Sequence, residues 1–340
     1  SDMVAHSAGI LDIKTNILPN ADALFLTAID PYGHELWRWT FPVNKLNQQT
    51  EQLSPLSSRP TYTETENDLT VKANKRTFIF SKKDGQLKGV SVDNRKISFA
   101  NGPRFIGARR ADRSLDQFYN HDDEKAKEKD RTYSEFPDAA VFTKLDVKQD
   151  GGDLIVTANY KLGNLDKAQW TINPSGDLAL DYTYNFSGVV DLMGIRFDYP
   201  EDQVISKRWL GAGPYRVWQN RIHGTQYDVW ENDYNDPIPG ETFTYPEFKG
   251  YFGDVSWMNI QTKEGTISLT NETPDAYIGV YQPRDGRDRL LYTLPESGIS
   301  VLNVIPPVRN KVNSTDLCGP SSQPKWVNGP QTGRVIFRFM

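Results

Sequence analysis

The 340-residue sequence predicts an all-β fold, a sandwich or barrel of antiparallel strands. Short segments of alternating apolar and polar residues recur, turn pairs punctuate them, and no long stretch holds a helical period. LFLTAID (24–30) and ELWRWTF (35–41) open the series, each rich in β-branched or aromatic residues. LTVKANKRTFIFS (69–81) and LKGVSV (87–92) follow, separated by the Asp84-Gly85 turn pair. LIVTANYKL (154–162) and LALDYTYNF (178–186) flank Ser175-Gly176, while GTISLT (265–270) and GRVIFRF (333–339) close the chain. Asn101-Gly102 and Asp150-Gly151 are further turn pairs. HDDEKAKEKD (121–130) is charged throughout and reads as a solvated loop or short exposed helix.

Hydrophobic residues make up 37% of the chain and aromatics 12%, enough for a packed core. The net charge of -5 gives no footprint for a nucleic-acid partner, and a neutral polymer fits better. No apolar run is long enough for a helical membrane span, and residues 1–20 lack the basic and apolar regions of a signal peptide. The single cysteine, Cys318, cannot form an internal disulfide. Histidine and cysteine are too few and too scattered for a metal site, so no cofactor is expected.

Residues 44–67 are polar, rich in Ser, Thr, Gln and Pro, and aperiodic, so they read as a linker between domains. The 43 residues before it hold two or three strands, against the roughly 100 residues of an immunoglobulin-type sandwich. They are therefore expected to be the tail of such a domain whose earlier strands lie upstream. Residues 68–340 form the second expected domain.

WLGAGPYRVWQNRIHGTQYDVW (209–230) is the segment richest in functional chemistry. A Gly211-Ala212-Gly213-Pro214 corner sets Tyr215, Arg216, Trp218 and Arg221 close together, residues able to stack on and hydrogen-bond a sugar. YPEFKGYFGDVSW (245–257) follows with a second aromatic cluster.

The chain from about Asp68 resembles the C-terminal β-sandwich domain of the β-galactosidase family of glycoside hydrolases, a large antiparallel supersandwich of the galactose-mutarotase-like type. FIFSKKDGQLKGVSVDNRKISFANGPRF (78–105) looks like that domain's opening hairpin. WLGAGPYRVWQNR is similar to the family's W-x-G-x-G-P-x-E-N-Y-x-D-R, YPEFKGYFGDVSW to its Y-P-Q-E-N-G-N-R-x-D-V-R-W, and DLCGPSSQ (316–323) to its late D-x-W-x-P segment. The segment before Asp68 resembles the end of the family's preceding immunoglobulin-like domain. By this resemblance the chain packs on a catalytic barrel and shapes one wall of its carbohydrate site. A periplasmic or secreted bacterial parent enzyme goes with it, although the sequence alone leaves the compartment open.

Matched position by position, the family's Glu-Asn becomes Arg216-Val217, its Asp becomes Asn220, and Arg221 is kept. The Gln-Glu-Asn trio falls on Glu247, Phe248 and Lys249, and the sugar-contacting tryptophan of the third motif falls near Cys318. The framework survives better than the ligand contacts. The resemblance and the residue chemistry together nominate Arg109, Arg216, Trp218, Arg221, Tyr245, Glu247, Asp316 and Trp326 as carbohydrate-contact candidates. Trp218 is open between sugar platform and core, Trp230 is expected in the core, and Arg221 is also expected to serve structurally. Arg109 falls in GARRADRS (107–114), read alternatively as a basic surface loop. Trp326 is the candidate replacement for the missing tryptophan.

No catalytic residue is assigned. In the parent family two glutamates on a separate (β/α) barrel perform the hydrolysis, and the alternation of strands and helices that such a barrel needs is missing from the sequence. The chain alone is therefore expected to be inactive. A carbohydrate-binding module is a second reading. An aldose epimerase is a third, needing a histidine and a carboxylate on one concave face. Of His6, His34, His121 and His223, only His223 falls near the motifs, beside Gly224 in a loop, with Glu247 as its possible partner. The carboxylates Glu231, Asp233 and Asp236 read as Asx-turn residues, and Cys318 has no base beside it.

Overall fold

The computed structural model describes residues 7–10, 12, 21, 23–42, 58–110, 133–233, 250–280, 298–307 and 319–340. The chain divides into two compact units, Ser1–Thr50 and Glu51–Met340. In the first unit, β1 (Ala23–Ile29) pairs antiparallel with β2 (Glu35–Pro42). The turn between them is closed by the Asp30 carboxylate, which accepts the backbone N–H groups of Tyr32 and His34 at 2.8 Å each. Cross-strand pairing of Leu24 with Phe41, Leu26 with Trp39 and Ala28 with Trp37 gives the ribbon one apolar face.

The second unit begins with β3 (Thr61–Glu64), β4 (Asp68–Ala73), β5 (Arg76–Ser81), β6 (Leu87–Val92), β7 (Arg95–Ile97), β8 (Ala100–Arg110) and β9 (Tyr133–Glu135). It continues with β10 (Val141–Asp150), β11 (Asp153–Lys161), β12 (Leu165–Ile172), β13 (Leu178–Val190), β14 (Leu192–Asp198), β15 (Val204–Gly213) and β16 (Gln226–Asp233). Last come β17 (Trp257–Thr262), β18 (Gly265–Asn271), β19 (Tyr277–Gly279), β20 (Ile299–Val304) and β21 (Lys325–Phe339). One sheet runs β10-β11-β12-β13-β21-β18-β17-β15-β16; the other runs β19-β20-β14-β8-β6-β5-β4-β3, with β7 and β9 attached to it. Every strand pairing within these sheets is antiparallel. The architecture is the large antiparallel supersandwich that the sequence resemblance implies.

The two sheets share one core because the period-2 alternation turns every second side chain inward. Phe80 of β5 packs on Trp170 of β12, Phe105 of β8 on Tyr184 of β13, and Phe197 of β14 on Phe337 of β21. β21 is the keystone: it lies between β13 and β18 and carries Val335, Phe337 and Phe339, all fully buried.

Two details depart from the sequence reading. The segment 69–81, read as a single run, is two strands folded at Asn74, whose φ of 52° is the left-handed conformation a tight turn requires. Residues 61–64, assigned to the linker, are strand β3 at the edge of the ten-stranded sheet. All four of its residues are exposed, so no buried face imprinted an apolar alternation on the sequence. The charged segment 121–130 lies outside the described residues.

Candidate functional site

The three sequence motifs meet at one place. β15 delivers the first of them and ends at the Gly213-Pro214 corner. Trp209, on β15, is buried; its indole donates to the Ala212 carbonyl at 3.0 Å and meets the Phe252 ring edge-on at 4.9 Å. Beyond the corner, Val217 exchanges two backbone hydrogen bonds with Tyr251, each 2.8 Å, which fastens the first motif to the second. Trp218 then packs edge-on against Tyr251, with ring centroids 5.6 Å apart.

A tight turn follows, in which the Arg221 N–H donates to the Trp218 carbonyl at 2.9 Å. At its tip, Gln219 fastens the third motif. Its side-chain amide donates to the carbonyls of Ser321 at 2.9 Å and Gln323 at 2.6 Å, while its backbone N–H donates to the Pro306 carbonyl. Asn220 adds a bond from its amide to the Ser322 hydroxyl at 3.1 Å. A second apolar cluster lies beneath this junction, built from Ile106, Ala108, Leu192, Leu302 and Ile305 with Val217, Trp218 and Tyr251.

The nominated residues separate into three groups. Arg216 and Trp218 are buried, 3% and 2% exposed. The Arg216 guanidinium lies 5.2 Å from the Phe252 ring centroid, a cation–π contact. Both residues brace the junction from within, and the Trp218 ring is no open platform. Arg221 and Arg109 are exposed, and Arg109 stands at the end of β8, paired with Ser134, rather than in a loop. Trp326 is 71% exposed at the start of β21, three residues beyond the Gln323 carbonyl that Gln219 holds. Tyr245, Glu247, Asp316 and Cys318 lie outside the described residues.

Trp230 packs partly against the main core, as expected, and donates to the carbonyls of Gly211 and Gln226. His223 is exposed beside Gly224. Gln219 and Tyr251 are the residues that sequence reasoning missed. A glutamine between a tryptophan and an asparagine carries no local signal, because its partners are 102 and 104 positions away.

Gly250 is required where the first two motifs touch. A Cβ there would come within 2.9 Å of the Val217 carbonyl carbon and 3.0 Å of its nitrogen, both backbone atoms that cannot swing aside. Gly250→Ala is expected to cost about 2 kcal/mol of stability and to loosen the junction. Urea unfolding checks this: a midpoint equal to that of the parent chain would contradict it.

Fold and junction together define an all-β domain of two large antiparallel sheets around one core. The sequence profile described as "Beta galactosidase small chain" matches residues 72–306, and the chain belongs to that family. No curated protein matches the sequence. Among solved structures, galactose 1-epimerase from Lactobacillus acidophilus NCFM is 10% identical, covering 84% of this chain and 99% of its own, with a TM-score of 0.46. An aldose epimerase homologue from C. elegans is 8% identical over 82% of this chain and 99% of its own, TM-score 0.36. A copper-containing benzylamine oxidase from Hansenula polymorpha is 7% identical over 87% and 64%, TM-score 0.34. Likeness at this level carries no argument about chemistry.

Proposed function

We propose that this chain is the accessory C-terminal part of a β-galactosidase-like glycoside hydrolase, docking on a catalytic barrel and forming one wall of its sugar site. The observation that supports the reading is the meeting of all three family motifs at one junction, fixed by Val217–Tyr251 pairing and the Gln219 side chain. Such a junction holds loops rigidly in front of a site supplied elsewhere. The wall would present the exposed Tyr215 and Arg221 and the residues around the 319–323 turn. Chemistry would come from two carboxyl groups on the barrel, one protonated and giving its proton to the leaving oxygen, the other an ionised carboxylate that attacks the anomeric carbon and is released when water takes the sugar.

Hydrolysis of a nitrophenyl β-galactoside tests this. The chain alone is expected to give no rate above buffer, and adding the barrel-bearing portion of the same enzyme is expected to produce one. Turnover by the chain alone would overturn the reading. So would mutarotation of galactose, followed by polarimetry, that His223→Ala abolishes.

A further inference from the structure

The outward face of the nine-stranded sheet carries an exposed indole, Trp326, at the head of a row of mostly polar residues on β13 and β21. Along β21, Phe337, Val335 and Val327 turn inward, so Trp326, Asn328, Pro330, Thr332 and Arg334 turn outward. Their cross-strand partners on β13 are Val189, Ser187, Asn185, Thr183 and Asp181. The row from Trp326 to Arg334 spans eight residue steps, about 26 Å at roughly 3.3 Å per residue.

At one end stands Trp326, 71% exposed, a side chain that is ordinarily among the more buried. At the other end a pocket of about 320 Å³ opens between Lys167, Gln169, Asp181, Glu272, Thr332 and Arg334. Between them run amides and hydroxyls. Ser187 donates to the Asn328 side-chain oxygen at 2.8 Å, and Asn185 donates to Asp166. The charges in the pocket offset one another: Arg334 bridges Asp181 at 2.6 Å and Glu272 at 2.9 Å.

We infer that this face is a binding track for an extended neutral oligosaccharide, with Trp326 stacking one sugar and the Arg334 pocket receiving another. An exposed indole offers a flat apolar surface to the C–H face of a pyranose, and planar amides and paired charges match its hydroxyls. Neutral ligand fits neutralised charge. A protein partner fits poorly, because protein interfaces are built around an apolar or aromatic centre and this row has one aromatic residue at its end. The track belongs to this chain alone, and its occupancy does not depend on docking to a barrel.

The test titrates the 340-residue chain with β-1,4-galactohexaose, cellohexaose and free galactose, read by calorimetry and tryptophan fluorescence. At least one hexasaccharide is expected to bind, with galactose far weaker. Trp326→Ala is expected to weaken that binding about tenfold or more, and Asn328→Ala to weaken it less, with thermal melts unchanged because both side chains are exposed. Tyr62→Ala, an exposed aromatic on β3 of the other sheet, should leave it intact. The proposal fails if neither hexasaccharide binds, if Trp326→Ala binds as the parent does, or if Tyr62→Ala abolishes binding. Self-association that depends on Trp326, without saccharide binding, would assign the face to a protein contact and also overturn it. The galactosidase assay can succeed or fail whatever the outcome here, so the two readings are separable.

Discussion

Replacing Phe337 by alanine is expected to lower the stability of the sandwich by about 4 kcal/mol, the largest effect of any substitution considered. Phe337 is fully buried on β21, where that strand lies between β13 and β18. Its ring touches Phe99 at a centroid distance of 5.0 Å and Phe197 of the opposite sheet at 5.3 Å. Truncation removes both the transfer energy of the ring and its contacts across the sheet interface. Neighbours on both sides are rigid aromatic rings, so the space cannot close by small movements. Equilibrium unfolding in guanidinium provides the measurement; a loss under about 1 kcal/mol would mean that the two sheets do not share this core.

The second large effect concerns Asp177 and Arg338. Asp177 ends the turn between β12 and β13, and its carboxylate receives a bidentate pair of bonds from Arg338 of β21, at 2.7 and 2.8 Å. Both side chains are mostly buried, at 14% and 16% exposure. Burial pushes the Asp177 carboxyl upward, but the Arg338 hydrogen bond and charge, with bonds from Asn173 and Ser175, outweigh it and hold the group below its ordinary value of 3.8. A carboxylate with a lowered folded-state pKa stabilises the protein above its unfolded-state value and loses that contribution as pH falls through the folded-state value. Asp177→Ala is therefore expected to cost about 3 kcal/mol near neutral pH. The gap between parent and variant should shrink as pH drops below 3.8. Unfolding curves at several pH values check it, and a gap that stays constant into acid would show that the ion pair contributes nothing.

The same turn explains why strand segments far apart in sequence cohere. Arg76 of β5 donates to the Phe339 carbonyl and to the Ser175 carbonyl, each at 2.7 Å, and so ties the ten-stranded sheet both to β21 and to the turn that carries Asp177. An arginine between a Lys and a Thr in a hairpin carries no hint of this duty in the sequence.

Local pattern was enough to foresee strands with one buried face. LKGVSV, LIVTANYKL and LALDYTYNF read correctly because burial on one side imposes alternation on the residues themselves. β3 escaped because an edge strand exposed on both faces needs no alternation, and it passed for linker. The motif order, and with it the family, was legible because glycines and aromatics that fit only one backbone path stay recognisable, as Gly250 does against Val217.

What the sequence by itself determined, then, is the all-β class, the family and the three motifs that meet at the junction. Only the tertiary structure decided which of those residues face solvent. Arg216 and Trp218, candidates by chemistry, are buried braces, whereas Trp326, exposed as the composition around it implied, stands at the head of a polar row. The reason is physical. Alternation within a strand is a local property of period two, but exposure depends on what a distant segment lays over a side chain. Here Tyr251 covers Trp218 by pairing 34 residues along the chain, and Gln219 reaches a turn 102 residues away.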